Sequence, residues 1–369
     1  MAATDSPVQE RSVPKPVFTD AEAGAKEFPS STSRSYNYFT PRKRRATVYE
    51  DVTVDVQPDP ARHLTQGWIY AFANGESGYP QEWTALKSTN WHAFLDPNEE
   101  WEQTIYRNNA NIVRQIQQTV DNAKAAGAFA AWNRSWTKVL ENHVFTWAHV
   151  EHGIGLHVYT PAQRDAPTNM INNALAVAAA HKLRFAQDLI LFNLEVDGQV
   201  EDFHGSAHQE AWQNDPIWQP TREVVEGLTA IRDWAEAFFA TAVVFEPLVG
   251  ELFRSGFVMQ AAAPQGDFVT PTIIGTGESD AARDQRGARA LFKMLADDEQ
   301  HGAENRSTMQ GWLETYAPRC VEAGRRLQPI WSQPSEKVVR FHDSMERSQQ
   351  RLTELVGDIG LEAPKEARA

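Results

Sequence analysis

The chain has 369 residues, 41 % of them hydrophobic, a formal net charge of −14 at pH 7 and a single cysteine. That length allows one large or two ordinary domains with a sizeable core, and the acidic balance argues against nucleic acid as a partner, because phosphate binding needs a basic face. No apolar run reaches the ~20 residues of a membrane helix. Cys320 alone excludes an internal disulfide, and the polar start MAATDSPVQERSVPKP does not read as a secretory signal, so a cytoplasmic protein is expected. Twelve Trp and 18 Phe point to a wide aromatic core, a large buried interface, or both.

In chain order, residues 1–35 are rich in Pro, Ser, Thr, Glu and Lys and hold little that could build a core. Residues 36–60 carry Tyr36, Tyr38, Phe39 and Tyr49 and an alternating Val52, Val54, Val56 that reads as extended. We therefore expect an N-terminal arm over 1–60, laid along a partner, and one helical domain over 61–369. The run Arg42-Lys43-Arg44-Arg45 is either solvated surface or a docking strip on an acidic partner, and its aromatic neighbours favour docking. Residues 62–97 hold Trp68, Trp83 and Trp91 among turn signals and read as short helical pieces.

Asp96-Pro97 reads as the start of a helix that runs to about Ala126. Further helices are expected over about 129–158 and 168–195, with polar, irregular chain over 198–216. One long helix is expected from Thr221 to about Met259, kinked at Pro247. Pro264, Gly266, Pro271, Gly275 and Gly277 mark a break over 260–279. The next helix spans about Asp280–Arg306, followed by a pair at about 307–327 and 335–357. This pattern predicts an all-α bundle around one core.

The segment Leu291–Arg306 places Leu291, Met294, Leu295, Asp298, His301 and Asn305 on one helical face. Asp298-x-x-His301 then resembles half of a di-iron carboxylate site, in which two helices each give a Glu-x-x-His pair and two others each give a Glu. The other half is missing. Glu201-x-x-His204 falls between glycines in expected loop. His149-x-x-His152, with His143 and Glu151 near, is a tempting cluster, but adjacent Glu151 and His152 cannot face the same way on a helix. It reads better as polar groups at a helix–helix or subunit contact. The 168–195 helix carries His181, Lys182 and Phe185 where a Glu-x-x-His pair is wanted. Asp298 and His301 thus form a degenerate half-site, and no catalytic or metal-binding residue is expected in this chain.

This combination resembles the small (β) subunit of the hydroxylase component of soluble bacterial multicomponent di-iron monooxygenases, closest to the propane 2-monooxygenase type. The likeness rests on YFTPRKRRATVYEDVTVDVQPDP (38–60), RHLTQGW (62–68), Trp91, Phe94, Asp96, Pro97 and Trp101 in W-x-x-F-x-D-P-x-x-x-W, FEPLVGELF (245–253) and LADDEQHGAENR (295–306). It implies a ferritin-like bundle, similar to the ribonucleotide reductase small subunit, with a long extended arm. It implies a non-catalytic chain without cofactor beside a large (α) subunit that carries the di-iron centre, in an (αβ)₂ assembly, sometimes with a γ chain. A reductase and a small regulatory protein complete such systems, which use NADH and O₂. The family's D-E-x-R-H sequences would correspond to His181–Phe185 and Asp297–His301. Partner-contact candidates are Tyr38, Phe39, Arg42, Arg44, Arg45, Tyr49, Trp68, Trp91 and Trp101, with Asn/Gln-rich 108–118 and the His143–His152 cluster as second choices. The alternatives are an autonomous di-iron carboxylate oxidase, a small subunit of a related ether, alkene or aromatic monooxygenase, and an unrelated helical adaptor.

Overall fold

The computed structural model describes residues 46–54 and 84–369. The chain divides into two compact units, Met1–Glu82 and Trp83–Ala369. In the first, the described residues form a wide helical turn, Glu50–Val54. Thr47 and Glu50 bond each other's backbone reciprocally: the Thr47 amide donates to Glu50 Oε2 (2.8 Å) and the Glu50 amide to Thr47 Oγ1 (3.2 Å). This is a capping box, and it coils the stretch that alternation had suggested was extended. Tyr49 is buried. Tyr38, Phe39, Arg42, Arg44, Arg45 and Trp68 lie outside the described residues.

The described residues of the second unit form helices joined by turns and loops, with no strand among them. Helix α1 spans Glu102–Ala125. It starts later than Asp96 because Asp96 makes a turn instead: its carboxylate accepts from the Asn98 amide (3.1 Å), and Glu99 then takes a left-handed φ of 51°. Helices α2 (Arg134–Val139), α3 (Trp147–Ile154) and α4 (Thr160–Asp165) are joined by wide turns at Leu140–Val144 and Gly155–Tyr159. Helix α5 is Asn169–Asp197, capped by Thr168. A short α6, Ala207–Asn214, occupies part of the polar stretch expected to be irregular.

The single helix expected over 221–259 is two. Helix α7 (Gln219–Thr229) ends before Asp233, whose carboxylate accepts from the amides of Ala235 (2.9 Å) and Glu236 (3.2 Å) and so starts α8, Trp234–Phe238, afresh. The chain continues in a wide, π-type stretch over Phe239–Glu251 that contains Pro247, and again over Arg254–Val258. Such stretches release backbone groups from the regular ladder. The hydroxyl of Ser348 donates to the Pro247 carbonyl.

Helix α9 runs Thr270–Ala296, so the expected break over 260–279 is half helix. Asp267 caps it, accepting from the amides of Val269 and Thr270 (2.9 Å each), and Pro271 sits in the first turn, where its missing N–H costs nothing. Gly275 and Gly277 lie inside it. A Cβ added at Gly277 would fall 2.5 Å from the Phe185 ring, so this glycine lets α5 and α9 approach. Gly277→Ala is expected to lower stability by about 1 kcal/mol net, overpacking outweighing the gain in helix propensity. Gly311→Ala, where nothing lies within 4 Å, is expected to raise it by up to about 1 kcal/mol. Urea midpoints of the two variants check both signs.

Helix α9 ends at Ala296 and α10 begins at Gly302, ending at Arg326; α11 is Phe341–Ile359. Helix does not run through 291–306, which corrects the expected placement of Asp298 and His301 on a core face. Asp298 Oδ1 accepts from the amides of Gln300 and His301 (3.0 Å each), a local bonding pattern that competes with helix. Its Oδ2 accepts from the Thr89 amide (2.7 Å) and hydroxyl (2.9 Å). Fully buried Asn305 clasps the strap to which Thr89 belongs, residues 84–101 ahead of α1, exchanging bonds with the backbone of Lys87 (2.9 and 2.7 Å). Burial works against the charged form of Asp298, but the Thr89, His301 and Gln300 amides together override it and hold the carboxyl at about 2. Asp298→Ala is expected to cost about 1 kcal/mol, as for a lost helix cap, read as a lower urea midpoint.

Helices α3, α5, α9 and the 239–258 stretch surround the centre, and α10 and α11 pack on the outer side of the 239–251 segment. Trp136, Trp147, Trp218, Trp234, Phe145, Phe238 and Phe239 fill the core.

Candidate functional site

The centre of the bundle is ionic. Glu151 on α3, Glu246 in the wide stretch and Glu278 on α9 converge on two cations, Lys182 of α5 and Arg254. Lys182 Nζ lies 3.0 Å from Glu151 Oε2 and also bonds Glu246 Oε1. Arg254 reaches Glu151 Oε1 at 3.0 Å and Glu246 Oε2 at 2.7 Å, and its Nε bonds Glu278 Oε1. Glu278 Oε2 accepts from Ser255 Oγ. The Trp147 indole N–H donates to Glu151 Oε1 (2.6 Å), and the Arg254 guanidinium lies 5.4 Å from the centre of the same Trp147 ring.

Glu151, Lys182, Glu246 and Arg254 are at most 4 % exposed. Buried charges persist only when paired and hydrogen-bonded, and these are. Burial opposes the charged form of Glu246, but Arg254 and Lys182 override it and hold the carboxyl at about 2. Burial likewise works against the Lys182 ammonium, and the Glu151 and Glu246 carboxylates more than offset it. Gly250 makes the room: a Cβ there would lie 2.5 Å from Glu246 Oε2 and 2.9 Å from Arg254 Nη1.

A second ionic layer ties α5 to α9 and to the strap before α1. His181 Nδ1 lies 2.8 Å from Asp284 Oδ1, and its Nε2 is 3.7 Å from Glu100 and 3.8 Å from Asp280. Arg184 bonds Asp280 (2.6 Å) and Asp188, and Arg283 reaches Glu100 (3.3 Å). Burial disfavours a charged His181, but Asp284, Asp280 and Glu100 together hold it above the ordinary histidine value. Burial lifts Asp188 to about 6 against the pull of Arg184.

The sequence search missed Glu278 and Arg254. The part of α9 that faces Lys182 and Phe185 is Gly277–Ala281, since Gly277 abuts Phe185, Glu278 joins Arg254 and Asp280 joins Arg184. Asp297–His301 lies in the turn between α9 and α10. The bundle's four positions are therefore Glu151, Glu246, Lys182-x-x-Phe185 and Glu278-x-x-Ala281. In a dinuclear carboxylate site the two paired helices would offer Glu-x-x-His. In sequence the α5 pair carries an ammonium and a phenyl ring, and the α9 pair a carboxylate and a methyl group.

The His143–His152 cluster is dispersed. Trp218 donates to His143 Nδ1 (3.1 Å), so His143 Nε2 carries the proton to Gln333 (3.0 Å); burial takes this ring down to about 4. His149 pairs with His208 (2.9 Å) and stacks on Trp212, and burial, reinforced by His208 and His152, takes it to about 4. Glu151 points inward while His152 is exposed. Glu201 lies in a turn and His204 in coil, outside any helix, as expected. Trp91 packs edge-on against Trp234 (5.9 Å), and the Trp101 amide donates to Thr104 Oγ1 (2.8 Å) at the head of α1. The Asn/Gln-rich stretch lies on α1 beside exposed Tyr106 and Val113.

These features define a ferritin-like helical protein whose central positions are filled by side-chain ion pairs. Residues 68–299 match the profile of the methane/phenol/alkene hydroxylase family, and the chain belongs to that family. It is 58 % identical over 366 residues, 99 % of each chain, to the propane 2-monooxygenase hydroxylase component small subunit of Gordonia sp. (strain TY-5). It is 26 % identical to the methane monooxygenase component A beta chain of Methylosinus trichosporium, over 85 % of this chain and 84 % of that one. In fold it matches a chain of phenol hydroxylase from Pseudomonas sp. OX1, with a TM-score of 0.71 at 18 % identity over 86 % of this chain and 92 % of the other. The small-subunit resemblance read from the sequence agrees with these relatives.

Proposed function

We propose that this chain is the structural small subunit of the hydroxylase component of a monooxygenase acting on propane or a similar small hydrocarbon, and that it holds no metal. The observation that carries this reading is the placement of Lys182 and Arg254 among Glu151, Glu246 and Glu278. Both cations donate hydrogen bonds and neither ligates a metal. They occupy oxygens of the carboxylates that a dinuclear site would use, and Phe185 and Ala281 offer no nitrogen. This residue set does not fit a di-iron centre, so no reaction step is assigned to it.

The chemistry then belongs to a larger partner subunit with the di-iron centre, supported by a reductase, a small regulatory protein, NADH and O₂. An (αβ)₂ assembly is part of the same reading. The propane assignment rests on the 58 % identical relative. Obligate contacts of this sort bury roughly 2,000–5,000 Å² and favour aromatic residues, and the tryptophan- and tyrosine-rich residues 36–101 are the part of the chain whose composition suits such a contact.

Iron analysis tests the proposal. The chain purified alone is expected to contain none, and the complex with its large subunit about two per pair, as for a dinuclear centre. Two irons in the isolated chain would overturn it and restore the autonomous oxidase.

A further inference from the structure

We propose that His181 is a proton-operated clasp: its imidazolium pins the head of α1, and the end of the strap that leads into it, onto α5 and α9, and loss of its proton loosens them. The first support is that one buried ring joins three elements. From α5 it donates through Nδ1 to Asp284 Oδ1 of α9 (2.8 Å), while Nε2 lies 3.7 Å from Glu100 Oε2 of the strap and 3.8 Å from Asp280 Oδ1 of α9. An imidazolium presents an N–H on both sides. A neutral ring that keeps its Nδ1–H turns a lone pair on Nε2 toward two carboxylates. The second support is the charge balance. The charged groups around the ring are Asp96 and Glu100 from the strap, Asp280, Arg283 and Asp284 from α9, and Arg184 and Asp188 from α5 itself. The buried Tyr159 phenol, which also feels Asp284, stays neutral. Arg184 bonds Asp188 and Asp280, and Arg283 bonds Asp280 and Glu100. Asp284 Oδ2 is buried with no hydrogen-bond partner, so its carboxylate depends on His181.

Burial opposes the charged ring, but Asp284, Asp280 and Glu100 hold it above the ordinary 6.5. The clasp is therefore closed below 6.5 and opens as the pH rises through the higher folded value. The change stays local. The far end of the strap is fastened separately, by Asp233 to the Ala85 amide, Asn305 to Lys87 and Asp298 to Thr89. Near the clasp, Asn173 still donates to the Glu100 carbonyl (2.7 Å) and Asn98 to the Arg283 carbonyl (2.9 Å), so the head of α1 loosens without detaching.

Hydrogen–deuterium exchange on the full chain tests this, with rates corrected for the intrinsic pH dependence of amide exchange. The readout is the segment 99–110, whose Glu99, Trp101 and Ile105 amides bond the Asp96 carbonyl, Thr104 Oγ1 and the Trp101 carbonyl. Between about pH 6.5 and about pH 9 this segment is expected to lose protection several-fold in the wild type, while α10 keeps its own. His181→Gln keeps a donor for Asp284 but cannot titrate, so its segment is expected to be poorly protected at both pH values. Glu100→Gln removes the strap's carboxylate and is expected to abolish most of the pH dependence. Equal protection at both pH values in the wild type overturns the proposal. A loss that persists in His181→Gln overturns it too, by assigning the titration to Asp96 or Asp188. So does a loss shared by α10, which would make His181 a support of the whole bundle. If His181→Gln does not fold, Glu100→Gln decides, and an undiminished pH dependence there overturns the clasp.

Discussion

Arg254→Met is expected to lower the stability of the chain by about 3–5 kcal/mol, the usual result of removing one partner from a buried ion pair. The size follows from what is left behind. Arg254 is fully buried and bonds Glu151, Glu246 and Glu278 at once, so its loss strands three carboxylates with only Lys182 among them. Methionine fills similar volume, so the deficit is electrostatic and not a cavity. It should also depend on pH. In the folded chain Glu246 is held at about 2 against an ordinary 4.5, so its contribution is complete above 4.5 and is lost as the pH falls toward 2. In the variant Glu246 loses Arg254, the stronger of the two cations that hold its carboxyl down, so it takes up a proton more readily, which relieves it. The gap between wild type and variant should therefore be widest near neutrality and close as the pH falls through 4.5. Urea unfolding at neutral pH and near pH 4 measures it, and a gap constant with pH would mean that Arg254 acts through packing alone.

The outline of this fold was legible because long helices keep their phase. The α5 helix carries Lys182 and Phe185 one turn apart, and nothing in Asn169–Asp197 interrupts the count. The partner segment on α9 was hidden by composition. Pro271, Gly275 and Gly277 read as breakers, yet proline is at home in a first turn and glycine inside a helix can serve close packing. Glu278 was therefore placed in a loop and never weighed as a ligand position. Asp298 and His301 show the reverse error. Their spacing fits one helical face, but an aspartate that bonds amides two and three residues on ends a helix as readily as it decorates one. Asp233 split an apparently continuous helix in the same way. Arg254 left no signal, because a lone arginine in an apolar run gains meaning only when three other elements bring glutamates to it. Thr47-x-x-Glu50 has the spacing of a capping box, a signal that the reading of the valine alternation passed over.

Trp147→Ala is expected to cost about 3–5 kcal/mol, and comparison with Trp147→Phe separates its two roles. The indole is fully buried, stacked on Phe253 (5.2 Å) and Phe245 (6.3 Å), and lies between the aromatic core and the ionic centre. Alanine would leave a cavity and take away both the ring beneath Arg254 and the donor to Glu151. Phenylalanine keeps most of the packing and a ring face for the guanidinium, but loses the N–H, so Glu151 Oε1 retains only Arg254. That loss alone should cost about 1–3 kcal/mol, the penalty of a buried acceptor deprived of a donor. Urea midpoints of the two variants measure the separation. If Trp147→Phe matches wild type, the indole bond to Glu151 contributes nothing and the ionic centre is held by Lys182 and Arg254 alone. If it is as damaging as alanine, the orientation of Glu151 by that single N–H sets the geometry of the whole cluster, because Glu151, like Glu246, is bonded by both cations.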